Sequence, residues 1–170
     1  MQTFVKRPAV TLNPGNGLFR NDHFQVAYAT NNIERACRVL GERYGIKEYR
    51  SLEGQLPAGG HVHIELAWAG GTMYELVQGS GPGTEFYRSV LPMNGFAIRH
   101  HHLGYFIHDQ AAWDALQNEI ERGGLKVVFE NKVEGFINAC YIEAPELGHY
   151  LEYLFPEPAG IAFFDSVPCS

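Results

Sequence analysis

The feature that most constrains this chain is a repeat at a fixed offset. The segment FQVAYATNNIERACRVLGERYGIKEY, residues 24–49, is answered by HHLGYFIHDQAAWDALQNEIERGGLKVVF, residues 101–129. Asn32 and Asp109, Gly71 and Gly148, and Glu75 and Glu152 are all 77 residues apart. An offset kept across a whole module means one supersecondary unit used twice.

Each copy opens with an apolar stretch and a polar corner, Asn31-Asn32 or His108-Asp109, whose side chains suit a helix N-terminus. Asn31 and Glu34 also have the spacing of a capping box. The helices that follow place Ala36, Val39, Leu40 and Tyr44, or Trp113, Leu116 and Ile120, on one face. They stop at Gly45 and at Gly123-Gly124. Three strands complete each copy. They are expected at 46–52, 61–68 and 72–78 in the first, and at 125–130, 137–143 and 149–155 in the second. The clean alternation of Val62, Ile64, Leu66 and Trp68 marks the clearest of them.

The pattern predicts an α+β protein of two tandem βαβββ modules around a central cleft. Residues 22–80 form the first module and 99–156 the second. Residues 1–21 are an N-terminal extension, 81–98 a linker with a short helix capped by Thr84, and 157–170 a tail. The tail's Ile161-Ala-Phe-Phe164 is too apolar to stand free in water, so it should cover the cleft mouth or a partner subunit.

Composition narrows the function. A net charge of −6 argues against nucleic acid or an anionic membrane surface as partner. No apolar run approaches the ~18 residues of a membrane span, and the N-terminus lacks a signal-like apolar stretch. Three scattered cysteines, Cys37, Cys140 and Cys169, give neither a disulfide framework nor a thiolate metal site. A reducing, cytoplasmic setting and a small-molecule ligand are the expectation.

Equivalent positions of paired modules face each other across the cleft. Glu75 and Glu152 form one such pair, and the same offset carries His102 onto Gln25. Two carboxylates, an imidazole and an amide oxygen suit one divalent ion such as Zn, Ni, Co, Mn or Fe. Without a cation the facing carboxylates would repel and one would tend to protonate. Alone, each glutamate reads equally well as the solvated face of a strand; the pairing through the repeat favours the cleft. Register selects Gln25, and a slip of two residues would select His23, read here as lying on the same face. His100 should share a face with His102 while His101 points away. His61, His63 and Glu65 read as a solvated or substrate-contacting face rather than a second ion site.

The stretches His102-Leu-Gly-Tyr-Phe-Ile-His-Asp109, Gln25-Val-Ala-Tyr-Ala-Thr-Asn-Asn32, Tyr74-Glu75-Leu76 and Gly148-His-Tyr-Leu-Glu152-Tyr resemble the opening and closing strands of the vicinal oxygen chelate superfamily. The resemblance spans roughly residues 22–156 and is nearest to the glyoxalase I and methylmalonyl-CoA epimerase branch. It implies a homodimer and a metal-dependent isomerase, lyase or epimerase. Gln25, Glu75, His102 and Glu152 would be the metal ligands, and Glu152 or Glu75 the base that moves an α-proton through a stabilised enolate. A ring-cleaving Fe or Mn dioxygenase and a non-catalytic binding protein are the alternatives. The aromatic content, including Trp68, Tyr74, Tyr105, Phe106 and Tyr150, points to a fairly apolar substrate. Arg20, Arg50, Arg88 and Arg99 are too scattered to resemble a clamp for a thiol cofactor.

Overall fold

The computed structural model describes residues 8–170. One eight-stranded mixed sheet carries the molecule, in the order β2-β3-β4-β1-β5-β8-β7-β6. The first half contains β1 (Asp22–Thr30), α1 (Ile33–Tyr44), β2 (Arg50–Gln55), β3 (His61–Ala69) and β4 (Thr72–Ser80). After α2 (Glu85–Arg88), the second half repeats the order: β5 (Ile98–Phe106), α3 (Gln110–Gly123), β6 (Val127–Val133), β7 (Ile137–Ala144) and β8 (His149–Pro156). The last element is α4 (Pro158–Asp165).

The strand order reads the same from either edge, with the antiparallel pair β1–β5 at the centre. The repeat extends to individual rungs. On the parallel pair β1–β4, Gln25 faces Met73 and Ala27 faces Glu75. On β5–β8, 77 residues later, His102 faces Tyr150 and Gly104 faces Glu152.

Side-chain chemistry accounts for the helix ends. Asn32 caps α1 by accepting from the Arg35 amide at 2.9 Å, and Asp109 caps α3 by accepting from the Ala112 amide at 2.7 Å. Asn31 is not the cap expected from its spacing to Glu34. Its amide instead donates to the Gly95 carbonyl and its oxygen accepts from the Ala97 amide, tying the linker down. Gly45 and Gly124 end the helices at φ 83° and 57°, where a side chain would be strained.

Burial follows the two-layer logic of a helix-backed sheet. Ile33, Ala36 and Leu40 of α1 pack on Ala67 and Leu76, while Tyr44, expected on that face, is exposed. Leu116 and Ile120 of α3 pack with Tyr105, Ile142 and Tyr153. The edge strands begin later than the pattern suggested, β2 at Arg50 and β6 at Val127. Thr84 precedes α2 as expected, but its hydroxyl donates to the Gly81 carbonyl and makes no cap.

The tail folds back on the chain. The Glu157 amide donates to the Phe136 carbonyl and the Glu157 carboxylate accepts from the Gly135 amide. A side chain at Gly160 would collide with the Phe136 carbonyl, so α4 sits hard against the β6–β7 turn. Beyond it, the Trp68 amide donates to the Pro168 carbonyl and the Ser170 amide to the Trp68 carbonyl. Phe164 meets Phe24 and Phe106 edge-on.

Candidate metal centre

Gln25, Glu75, His102 and Glu152 come from β1, β4, β5 and β8, the four central strands, and all are buried. One ligand atom each from Glu75, His102 and Glu152 lies within 4.8 Å of the others. The Gln25 amide donates to Glu75 Oε2 at 2.8 Å. His102 Nε2 is 3.1 Å from Glu152 Oε2 and 3.8 Å from Glu75 Oε1. Gln25 Oε1, Glu75 Oε1, His102 Nε2 and Glu152 Oε2 are all buried without a hydrogen-bond partner. A buried polar atom is ordinarily paired. One orphan from each of four converging side chains is what a bound cation would satisfy, and the nitrogen-and-oxygen set fits a divalent ion.

Glycine makes the space. Gly104 lies opposite Gln25 on the β1–β5 pair, and a Cβ there would stand 2.9 Å from Gln25 Cβ and overlap its amide oxygen. The His-x-Gly pattern at 102–104 is therefore a steric requirement of the glutamine's position.

Electrostatics show the strain of the cluster without a cation. Burial pushes Glu75 up to about 7; the Glu152 charge adds to this, while His102 and the Gln25 hydrogen bond oppose it. Burial pulls the His102 imidazole down, but the Glu152 and Glu75 carboxylates outweigh it and leave it raised.

Two β-bulges correct the expected facing of the histidines. One falls between His23 and Gln25, the other between His102 and His100 on the partner strand. Each adds a residue and turns the chain, so strict alternation fails. His23, the alternative to Gln25, is exposed and its ring rests against Tyr105, 5.2 Å between centroids; the structure does not bring it to the cluster. His100 packs with Tyr28 and His149. His101, expected to point away, is fully buried beside His102, with the two Nδ1 atoms 2.9 Å apart. His101 Nε2 lies 3.2 Å from the Phe86 carbonyl, which only accepts. That nitrogen therefore carries the hydrogen, and neutral His101 offers a bare Nδ1 to the Nδ1–H of His102. When His102 gives up its second proton, it is therefore Nε2 that presents a lone pair to the cluster. Burial, with His102 beside it, pulls the His101 pKa down to about 3, so it stays neutral.

A cavity of about 320 Å³ opens from the cluster. Gln25, Glu75 and Glu152 line it together with Tyr141, which pairs with Glu152 across β7–β8. Burial and the Glu152 charge push the Tyr141 hydroxyl well above its usual range. The aromatics singled out from the sequence, Trp68, Tyr74, Tyr105, Phe106 and Tyr150, do not line it. Its rings are Tyr87, Phe129, Phe136, Tyr141, Phe163 and Phe164, from α2, from β6 and β7 with the turn between them, and from α4. The apolar face read for β3 does line it, through Val62, Ile64 and Leu66. On the other face His63 pairs with Glu65 at 2.8 Å and His61 with Glu53 at 3.2 Å.

No protein-family model and no curated protein matches the sequence. Solved structures do match. Methylmalonyl-CoA epimerase from Mycobacterium tuberculosis superposes with a TM-score of 0.57 at 14% identity, over 92% of this chain and 97% of that one. The Streptomyces coelicolor epimerase in complex with 2-nitronate-propionyl-CoA gives 0.55 at 13%, over 79% and 96%. A hypothetical protein from Bacillus halodurans gives 0.54 at 16%, over 79% and 94%. The chain therefore has the vicinal oxygen chelate fold, the architecture its repeat led us to expect. At these identities the likeness is one of fold.

Proposed function

We propose that the protein is a metal-dependent enzyme that moves a proton on a carbon next to a carbonyl, an isomerase or epimerase in type. One observation carries this reading: Gln25, Glu75, His102 and Glu152 each bring a buried, unpartnered polar atom to the floor of one cavity. These four residues would hold one divalent ion, which when bound polarises the substrate's oxygens and makes the adjacent C–H acidic.

The remaining work belongs to the side chains. Glu75 Oε2 accepts from the Gln25 amide at 2.8 Å, whereas the neighbour of Glu152 is the His102 imidazole at 3.1 Å. Glu152 is therefore the carboxylate available to take the α-proton, and Glu75 faces it from the other module. Return of the proton to the other side of the same carbon is epimerisation; return to a neighbouring atom is isomerisation. The walls around Leu66, Ile137, Ala139 and Leu154 are apolar, and a low-dielectric surround strengthens the electrostatic interactions made at the site.

The test is metal content together with proton exchange. Purified protein should carry about one divalent ion per chain. In D2O it should exchange the α-hydrogens of a hydroxyketone, followed by NMR. Glu152→Gln should abolish exchange far more thoroughly than it lowers metal content. Exchange no faster than with the free ion in buffer would overturn the proposal.

A further inference from the structure

We infer that the substrate is an electrically neutral molecule, an apolar ring-sized body bearing two adjacent oxygens, and carries no carboxylate. The inference rests on the metal reading above and adds the charge of what the site accepts.

Charge counting comes first. Two of the four candidate ligands are carboxylates and the other two, an amide and an imidazole, are neutral. A divalent ion held by Glu75 and Glu152 is thereby neutralised, with no positive charge left for an anion. The cavity supplies none either: among the described residues no lysine, arginine or histidine lines it. Its one further carboxylic acid is Glu53, whose carboxylate is exposed and pairs with His61. A buried carboxylate needs a compensating partner. An anionic group placed here would meet a neutral centre and apolar walls. The chain's net charge of −6 acts in the same sense at longer range.

The walls define the rest of the ligand. Val62, Ile64 and Leu66 form one side and Ile137, Ala139 and Leu154 another. Phe163 and Phe164 of α4 line it too, held in place by the return of the tail along β3. Apolar walls with few convergent polar groups select a ligand whose body is apolar and whose oxygens gather at one end. An α-hydroxyketone with an aryl substituent has that form. The anionic acyl-CoA class does not.

Two small probes of matched size decide it. 2-Hydroxyacetophenone and mandelate each carry one phenyl ring and two adjacent oxygens, but only mandelate is an anion. The protein is loaded with Co²⁺, and each probe is titrated while the visible cobalt spectrum and the heat of binding are recorded. The neutral probe should change the spectrum and bind at least about tenfold more tightly, against the preference of free cobalt for a carboxylate. Asn131→Arg, which places a cation at the cavity edge on an exposed side chain, should raise mandelate affinity and leave the neutral probe within about twofold. Equal or tighter binding of mandelate by the unaltered protein overturns the inference. Stoichiometric cobalt with neither probe bound overturns it too, while leaving the metal centre standing. Failure to bind cobalt at all removes the functional reading beneath it.

Discussion

Raising the pH should destabilise this protein when metal is withheld and not when metal is supplied. Glu75 has its carboxyl pushed from 4.5 to about 7 by burial, so the folded state holds a proton that the unfolded chain has released. A group with its folded pKa raised contributes stability that is complete below the unfolded value and is lost as pH climbs through the folded one. Each pKa unit is worth about 1.4 kcal/mol, so the window from 4.5 to about 7 represents about 3 kcal/mol. His102 is also raised and acts in the same direction: its contribution is complete below 6.5 and lost as pH rises through its higher folded value. Against a typical stability of about 5–15 kcal/mol that is a large fraction. At about 2–4 °C per kcal/mol it corresponds to a fall in Tm of roughly 6–12 °C between pH 5 and pH 8. A divalent ion reverses the trend, because it binds only the folded state and its ligands bind it once deprotonated. The assay is urea and thermal unfolding from pH 5 to pH 8.5, with a chelator and with excess Zn²⁺. The gap between the two series should widen as pH rises, and Glu75→Gln should flatten the chelator series. Metal-free protein that gains stability toward pH 8, or parallel series with and without the ion, would refute the reasoning.

His101→Phe should keep the fold but lower metal affinity about 10–100-fold, read by competition with a chromophoric chelator, because nothing then fixes the His102 Nδ1 hydrogen. His101→Gln, whose amide oxygen can accept that hydrogen, should recover most of the loss. Gly104→Ala should cost about 1–3 kcal/mol and weaken metal binding, since the new methyl occupies the place of the Gln25 amide; an unchanged unfolding midpoint would show that the glycine is incidental. Deleting residues 157–170 removes Phe163 and Phe164 from the cavity wall. It should raise the KM for aryl substrates more than it lowers kcat, and a truncation with unaltered stability and kinetics would deny the tail its packing role.

The chain's plan was open to reading because its information is carried by the repeat. The 77-residue offset placed Glu75 opposite Glu152 and Gln25 opposite His102, and the β1–β4 and β5–β8 registers hold it rung by rung. What escaped was whatever depends on a departure from period two. Nothing in Phe24 or His101 marks it as the extra residue of a bulge; both are ordinary in a strand. Each bulge nevertheless decides which neighbour reaches the cleft. It sends His23 to the surface and draws His101 in beside His102. The cavity's rings were misassigned for a related reason. Tyr74 and Tyr105 belong to clusters behind the sheet, under α1 and α3. The rings that line the cavity come instead from the linker, the β6–β7 hairpin and the tail, segments outside the paired motifs or at their edge, whose placement is fixed by long-range packing that no local pattern records.

On the four central strands the two modules share their register and differ in side chains, and that difference makes the two ends of the cleft chemically different. The bulges themselves obey the repeat, since Phe24 and His101 are 77 residues apart. At these equivalent places one module puts a phenylalanine that packs into an apolar cluster with Leu66 and Met73, and the other a histidine that hydrogen-bonds the imidazole at the centre. At the next residue one module has an amide, which donates to Glu75, and the other an imidazole, whose Nε2 lies 3.1 Å from Glu152. Identical carboxylates on equivalent strands thus have different neighbours: an amide holds Glu75, and an imidazole stands beside Glu152. A pair held equally on both sides would offer no preferred direction for a proton. On the proposed reading, a carboxylate held by an amide and another beside His102 and Tyr141 would give removal and return of a proton separate addresses on one scaffold. Duplication supplied the paired carboxylates, and divergence at the bulge and at the residue after it distinguished them.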